Sequence, residues 1–501
     1  MASIGLGHSH TARALLLVTP RKAAALPPTQ PPTFDSRRSR SAIVVLVVIA
    51  ALVRLMGVGK DLWLDEVWSL RVATDLSSAW SVFTLHHEIN HHLNTLWLHA
   101  LGPNASAPLY HLLSYVLGVA AVGIAGAIGS RRGPAVGIAA AAAFALSYEM
   151  VLYSTEARGY SGLVFSTLLA FYALEPAIQN ASWRWRALYW FACSIGVLSH
   201  PIFAGFLAAA IVWTAWRART TGAGASAIAR QLFLVHAVPV VVLGLLWFID
   251  LRLVVAGGGT PANSLVGVYG GALAWAVAAG RASGVELVSC VLVVAMLASA
   301  IHAARTRATE LAVFYVSAIV IFPIALVLIR ASDLVYTRHF LVAGVFTLLV
   351  FGLTVGRWWT EGRKRLAVVS GAAFVIVNAF NIATLARDGR GQYRDAIEYM
   401  AASSPGDSVT IGGDQDFRIG TEMSYYLPRA ETTKRLQYLD QRNWPLGGPE
   451  WIVMQNESWV MEQPEPELNP ASGVRYSLSK TFPTAPLSGL HWYLYHRVTA
   501  R

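Results

Sequence analysis

Apolar runs long enough to cross about 30 Å of hydrocarbon as helix, roughly 20 residues each, recur along the first 386 residues and are separated by short polar breaks. The pattern predicts a first span over Ser41–Val58. Further spans are predicted near 107–129, 133–150, 160–178, 187–200, 201–216, 231–250, 285–303, 310–330, 339–356 and 366–386. That makes eleven, with His200-Pro201 marking a turn so tight that two spans nearly fuse. After residue 386 the pattern changes. Runs such as DSVTIGG, EWIVMQNE and HWYLYHRV alternate with a period of two, a helix is expected over Gln392–Ala402, and the turn-rich NWPLGGPE separates later strands.

Composition agrees with the periodicity. Hydrophobic residues make up 55% of the 501 positions and charged residues only 13%, against about 25% charged in an average soluble domain. The expected fold class is thus an α-helical polytopic membrane protein with a small C-terminal α/β domain. Its parts are a disordered basic tail over 1–40, containing PPTQPP, a transmembrane domain over 41–386 and an extracytoplasmic domain over 387–501. Cys193 and Cys290 both lie in apolar runs and offer neither a metal spacing nor a disulfide framework.

The net charge of +11 does not point to nucleic acid, because the basic residues cluster in short loops between spans. Counted over alternate loops they number 19 on one side and 7 on the other. Cytoplasmic loops carry such an excess. The amino terminus is therefore expected in the cytoplasm of a plasma (inner) membrane protein, and the last 115 residues outside it.

Polar groups then gather on the extracytoplasmic side. The segment Lys60–Leu70, KDLWLDEVWSL, places Asp65 and Glu66 among tryptophans and leucines, at the headgroup depth that tryptophan prefers. In the same loop HHEINHHLNTLWLH, read as a helix, sets His87 four residues before His91 and puts Glu88 within a turn of His91 and His92. Glu66, Glu88, His91 and His92 are candidate ligands for a divalent metal, and solvated histidines on an interfacial helix explain the same spacing. YSTEARGYS brings Glu156, Arg158 and Tyr160 to the start of the fourth span. There an Arg fork for phosphate and a local Glu156–Arg158 ion pair are both open. LSHP adds His200, and DLVYTRHF adds Asp333, Tyr336, Arg338 and His339, with Arg338 suited to a lipid-linked phosphate. The C-terminal region shows no Gly-rich phosphate loop and reads as a covering or assembly domain without chemistry of its own.

In their order and sidedness, LWLDEVWSL, NHHLNTLWLHALG, YSTEARGYS, LSHP and YTRHFLV resemble the membrane-embedded GT-C glycosyltransferases. The similarity is nearest to the bacterial RgtA/B/C/D-like lipopolysaccharide-core transferases, with protein O-mannosyltransferases and the lipid A aminoarabinose transferase more distant; it covers about residues 41–386. It implies transfer of a sugar from a polyprenyl-phosphate carrier to a hydroxyl on a lipid, glycan or protein of the cell envelope, with no nucleotide. By motif, Asp65 and Glu66 take the place of the family's acidic first-loop pair, His91 that of its NH-x-LN histidine, and Glu156 with Arg158 that of its ExR element. Many relatives open the second span with His-Pro-Pro-Leu-Tyr where this chain has Ser106-Ala107-Pro108-Leu109-Tyr110, so no metal ligand carries over at that place.

Such a reaction needs a base for the acceptor proton and cations for the departing phosphate. Asp65 is the expected base and Glu66 the group that positions the acceptor or a metal. Arg158 and Arg338 are the expected phosphate ligands, and Glu156, Tyr160, His91, His200, Tyr336 and His339 the orienting groups. A flippase or transporter of lipid-linked sugars would also use intramembrane charge, but no internal repeat is visible and the charges gather at one surface. A polyprenyl-pyrophosphate-dependent polymerase or ligase differs in its donor.

Overall fold

The computed structural model describes residues 36–179, 182–254, 265–277, 311–329, 336–457, 463–469 and 474–498. The expected span 285–303, Cys290, Asp333 and most of the expected basic tail lie outside the described residues. Ten of the eleven expected spans coincide with helical segments, beginning with α1 (Ser36–Val58). Between α1 and the next span lie two shorter helices, α2 (Leu64–Asp75) and α3 (His92–Leu101). The chain then runs through α4 (Ala107–Ser130), α5 (Pro134–Leu146), α6 (Tyr148–Tyr153), α7 (Tyr160–Gln179), α8 (Trp183–Ser199), α9 (Phe203–Thr220) and α10 (Ala225–Ile249). Ala312–Ile329, Leu341–Thr360 and Lys364–Asp388 follow, the first with a π-helical middle.

Among the described residues six helices are long and apolar enough to cross a membrane, and three shorter apolar ones accompany them. The chain is a multi-pass membrane protein. Two expectations need correction. The span near 133–150 is broken at Ser147, whose hydroxyl accepts from the Met150 N–H and starts α6 as a separate turn. A further helix, α11 (Leu265–Val277), was not expected, because its 13 residues fall short of the roughly 20 that a membrane-crossing helix needs.

Burial in lipid leaves helix packing to close contact and internal hydrogen bonds. Glycines let α4, α5 and Leu341–Thr360 approach. A Cβ on Gly356 would sit 2.4 Å from the Val136 Cα, and one on Gly352 would sit 2.8 Å from the Ala140 Cα. Arg54, in α1, reaches the Phe144 and Ala145 carbonyls at the end of α5, so its buried guanidinium meets the negative end of a helix. His236 links three helices by accepting from or donating to Tyr189 and Thr214.

The C-terminal region is a six-stranded sheet in the order β2-β1-β3-β6-β5-β4, built from β1 (Ser408–Gly413), β2 (Arg435–Tyr438), β3 (Trp451–Glu457), β4 (Glu467–Leu468), β5 (Tyr476–Phe482) and β6 (Leu490–Arg497). β1 is parallel to both β2 and β3, while β6 and β5 extend the sheet antiparallel. The expected helix appears as Tyr393–Ser403, and a second, Asp416–Tyr426, follows β1. These two helices share one apolar core with the first loop: Leu62, Trp63, Val67 and Leu70 pack with Tyr393, Ile397, Met423, Tyr426 and Trp492. The Tyr426 hydroxyl donates to the Leu62 carbonyl at 2.7 Å, and Asp61 accepts from the Arg394 N–H at 2.9 Å. The sheet is thus fastened to the segment that carries Asp65.

Gly356→Val should lower the yield of monodisperse folded protein and its thermal midpoint, since the overpacked backbone contact costs about 1–3 kcal/mol or more. Gly371→Val, in an open position, should leave both unchanged in the same size-exclusion and thermal-shift measurements.

Candidate active site

Helix α2 starts at Leu64 because Glu66 reaches back to the Trp63 N–H at 3.1 Å, the carboxylate half of a capping box. Adjacent helical residues point about 100° apart, so the two acids part company. Asp65, 21% exposed, faces the opening, and Glu66 is buried.

Asp65 Oδ2 accepts from two guanidiniums, Nη1 of Arg158 and, at 3.2 Å, Nη1 of Arg338. Three distant segments therefore meet on one carboxylate oxygen. The junction carries one unit of surplus positive charge and is only partly covered, an arrangement suited to an anion. Of the two readings left open, the local Glu156–Arg158 ion pair is not what forms. Glu156 accepts instead from the Trp63 indole N–H at 3.1 Å and faces the Arg390 Nε at 3.9 Å.

Behind this junction lies a buried polar layer. Glu66 Oε1 is bonded to His111 Nε2 at 2.8 Å and accepts from the Ala157 N–H at 2.6 Å, while His111 Nδ1 meets the Val58 carbonyl at 2.7 Å. With Oε2 taken by Trp63, Glu66 holds the loop that carries Arg158 and does not reach the opening. Burial pulls the Glu66 carboxyl upward, but His111, Arg390 and the Ala157 N–H outweigh it and hold the group below its ordinary value. Burial pushes Glu156 up to about 7, against the pull of Arg390 and Arg158. Arg390 also donates to the Leu152 carbonyl at 2.5 Å and the Thr155 hydroxyl at 2.8 Å, which ties the end of the last span to this layer.

His91 and His200 flank Tyr160, with ring centroids 5.3 and 5.4 Å from it and 4.7 Å from each other. His91 Nδ1 accepts from the Gly159 N–H at 3.0 Å, and His200 Nδ1 from the Ile202 N–H at 3.2 Å. His339 Nδ1 likewise accepts from the Tyr336 N–H at 3.2 Å. Burial first, then the nearby guanidiniums and neighbouring histidines, hold His91 and His200 well below the usual imidazole value. Both rings are neutral, and the backbone N–H at Nδ1 leaves the proton on Nε2 as a donor. Tyr336 lies under Arg338, 4.5 Å from guanidinium carbon to ring centroid.

The first loop does not form the expected helix through His87 and His91. His86 takes a left-handed conformation, φ 54°, and α3 begins only at His92. Asp250, at the end of α10, fixes this turn by accepting from the His86 N–H at 2.7 Å and Asn90 Nδ2 at 3.2 Å, and by meeting His92 Nε2 at 2.7 Å. The four expected metal ligands are consequently held apart: Glu66 on His111, His91 on Gly159, His92 on Asp250, and Glu88 exposed. Among the described residues no group of three or more His, Cys, Asp or Glu side chains is placed to hold a metal ion. This set does not fit one.

His111, Asp250 and Arg390 were not singled out from the sequence. His111 directly follows the Pro-Leu-Tyr that opens the second span, Asp250 is a lone acid ending an apolar run, and Arg390 sits between glycines after the last span. Each is a charge or imidazole at a membrane boundary, the one signal that pointed to them.

No family model and no curated protein matches the sequence. Among solved structures, the chain is similar to ArnT from Cupriavidus metallidurans, crystallised with bound undecaprenyl phosphate. The TM-score is 0.50 at 11% identity, and the match covers 92% of this chain and 98% of that one. At that identity the likeness speaks for the fold, which is that of the GT-C membrane glycosyltransferases.

Glu66→Gln should destabilise the protein at neutral pH by ~3 kcal/mol, the low end for breaking a buried charged pair. Because the folded carboxyl lies below its ordinary value, its contribution is complete above that value and fades as the pH falls through the folded one. Thermal midpoints of wild type and variant should therefore converge on acidification.

Proposed function

On this GT-C fold, we propose that the protein is a glycosyltransferase that moves a sugar from a polyprenyl-phosphate carrier to a hydroxyl acceptor at the extracytoplasmic face. The observation that carries the reading is the meeting of Arg158 and Arg338 on Asp65 at a partly open site. The amino terminus is cytoplasmic in this reading, as the loop charges require.

The charges balance through the reaction. A polyprenyl-phosphate sugar is a phosphodiester with one negative charge, which together with Asp65 neutralises the two guanidiniums. Arg158 and Arg338 grip its phosphate and thereby loosen their hold on Asp65. The acceptor oxygen attacks the anomeric carbon, the bond from that carbon to the phosphate oxygen breaks, and the acceptor proton passes to Asp65. The leaving monoester gains the charge that Asp65 loses, so the site is neutral before and after. Because charge accumulates on the phosphate as the bond breaks, both guanidiniums bind the transition state better than the donor. The neutral Nε2–H groups of His91 and His200 orient donor oxygens beside Tyr160. Glu66, Glu156, His111 and Arg390 position the loop that presents Arg158.

The test is transfer by purified protein in lipid nanodiscs from a polyprenyl-monophosphate sugar. Asp65→Asn should lower it about 10²–10⁴-fold and Arg338→Ala about 10²–10³-fold, with thermal midpoints within a few degrees of wild type. Undiminished transfer by Asp65→Asn would remove the base from the scheme. Movement of lipid-linked sugar across liposomes without a new glycosidic bond, or use of pyrophosphate carriers alone, would replace the reading itself.

A further inference from the structure

On α2, Asp65 and Trp68 are three residues apart and share the partly exposed face, while Glu66, Val67, Ser69 and Leu70 are buried. The Trp68 ring meets a residue of the sheet region: Phe417, with centroids 4.0 Å apart and planes tilted by 57°. His87 approaches Trp68 from another side at 5.6 Å. Phe417 remains 52% exposed in spite of its contact. A tilted aromatic platform thus stands one helical turn, about 5.4 Å, beyond Asp65.

Asp414 and Arg418 flank Phe417 along the chain. Arg418 Nη2 lies 3.2 Å from Oε1 of Glu457, the last residue of β3. Burial raises the Tyr336 phenol above its ordinary value; Arg338 and Arg418 pull it down, and Glu457 and Asp65 push it further up. At the C-terminal ends of β1 and β3, Gln455 is only 8% exposed, and its Oε1 has no hydrogen-bond partner among the described residues. Asp414 Oδ1 is in the same condition, although its Oδ2 accepts from the Gln455 N–H at 3.1 Å. Buried acceptors without partners call for an explanation. The carboxyl ends of parallel strands are also where open α/β sheets bind ligands.

We propose that the sheet region forms the acceptor subsite and that the acceptor presents a saccharide. The proposal rests on the glycosyltransferase reading above. A sugar ring offers an apolar C–H face to Trp68 and Phe417 and donor–acceptor hydroxyls to Arg418, Glu457, Gln455 and Asp414. Arg418 and Glu457 together carry no net charge, which suits neutral hydroxyls and leaves the anionic donor phosphate to Arg158 and Arg338. The C-terminal region is then part of the specificity machinery and more than a cover.

The experiment is saturation-transfer NMR on the full chain in nanodiscs, with methyl glycosides of glucose, galactose and mannose as probes and a Ser-containing peptide as the contrast. Wild type should give a signal with at least one glycoside. Phe417→Ala and Arg418→Ala should weaken binding of that glycoside about tenfold, as loss of an aromatic or arginine anchor does. Asp65→Asn should keep the signal, and Arg418→Lys should restore part of it. In transfer assays the two alanine variants should raise the acceptor KM and leave the donor KM unchanged. The subsite is overturned by a glycoside signal that neither alanine substitution moves, by saturation of the peptide alone, or by a rise in donor KM. The glycosyltransferase reading fails differently, with glycoside binding intact and no transfer by any form of the protein.

Discussion

Three segments of the site meet on one carboxylate oxygen. Asp65 brings Arg158, from the loop before α7, and Arg338, from the entrance to a later span, to a single point. Two guanidiniums brought this close repel each other. Without an anion between them they would not converge. The resting molecule supplies that anion from its own chain, and the junction is left partly open and one charge short of neutrality. In the proposed reaction a donor phosphate completes it.

The geometry of that junction depends on a layer that never meets solvent. Glu66 caps its own helix through Trp63, holds Ala157 and pairs with His111, and Trp63 in turn holds Glu156 beside Arg390. These links reach the second span through His111 and the chain after the last span through Arg390, so the position of Arg158 is set by distant parts of the chain together. The sheet region belongs to the same construction, because its two helices share a core with α2. A change in the seating of the sheet would move Asp65 as well as Trp68.

Much of this was legible in the sequence, for identifiable reasons. Loop charge fixed a common side for Asp65, Glu156, Arg158, His200 and Arg338, and a common side is nearly enough to bring such groups together in a helical bundle. The roles of neighbours were harder to read. Asp65 and Glu66 look like a pair in sequence, yet a helix turns them apart, and only Asp65 reaches the opening. The spacing of His87 and His91 looked helical until Asp250, more than 150 residues away, set the loop as a turn. Long-range partners of this kind leave no local periodicity, and His111 and Arg390 were missed for the same reason.

The central claim is that a lipid phosphate takes the place of Asp65 on the two arginines. The most direct measurement is a structure of the full chain with a polyprenyl-phosphate sugar or its unglycosylated carrier, read for the distances from phosphorus to the guanidiniums of Arg158 and Arg338. The account predicts the phosphate within hydrogen-bond reach of both, with Asp65 freed from at least one and turned toward the anomeric carbon. A phosphate bound elsewhere, with Asp65 still bridging the two arginines, would contradict it.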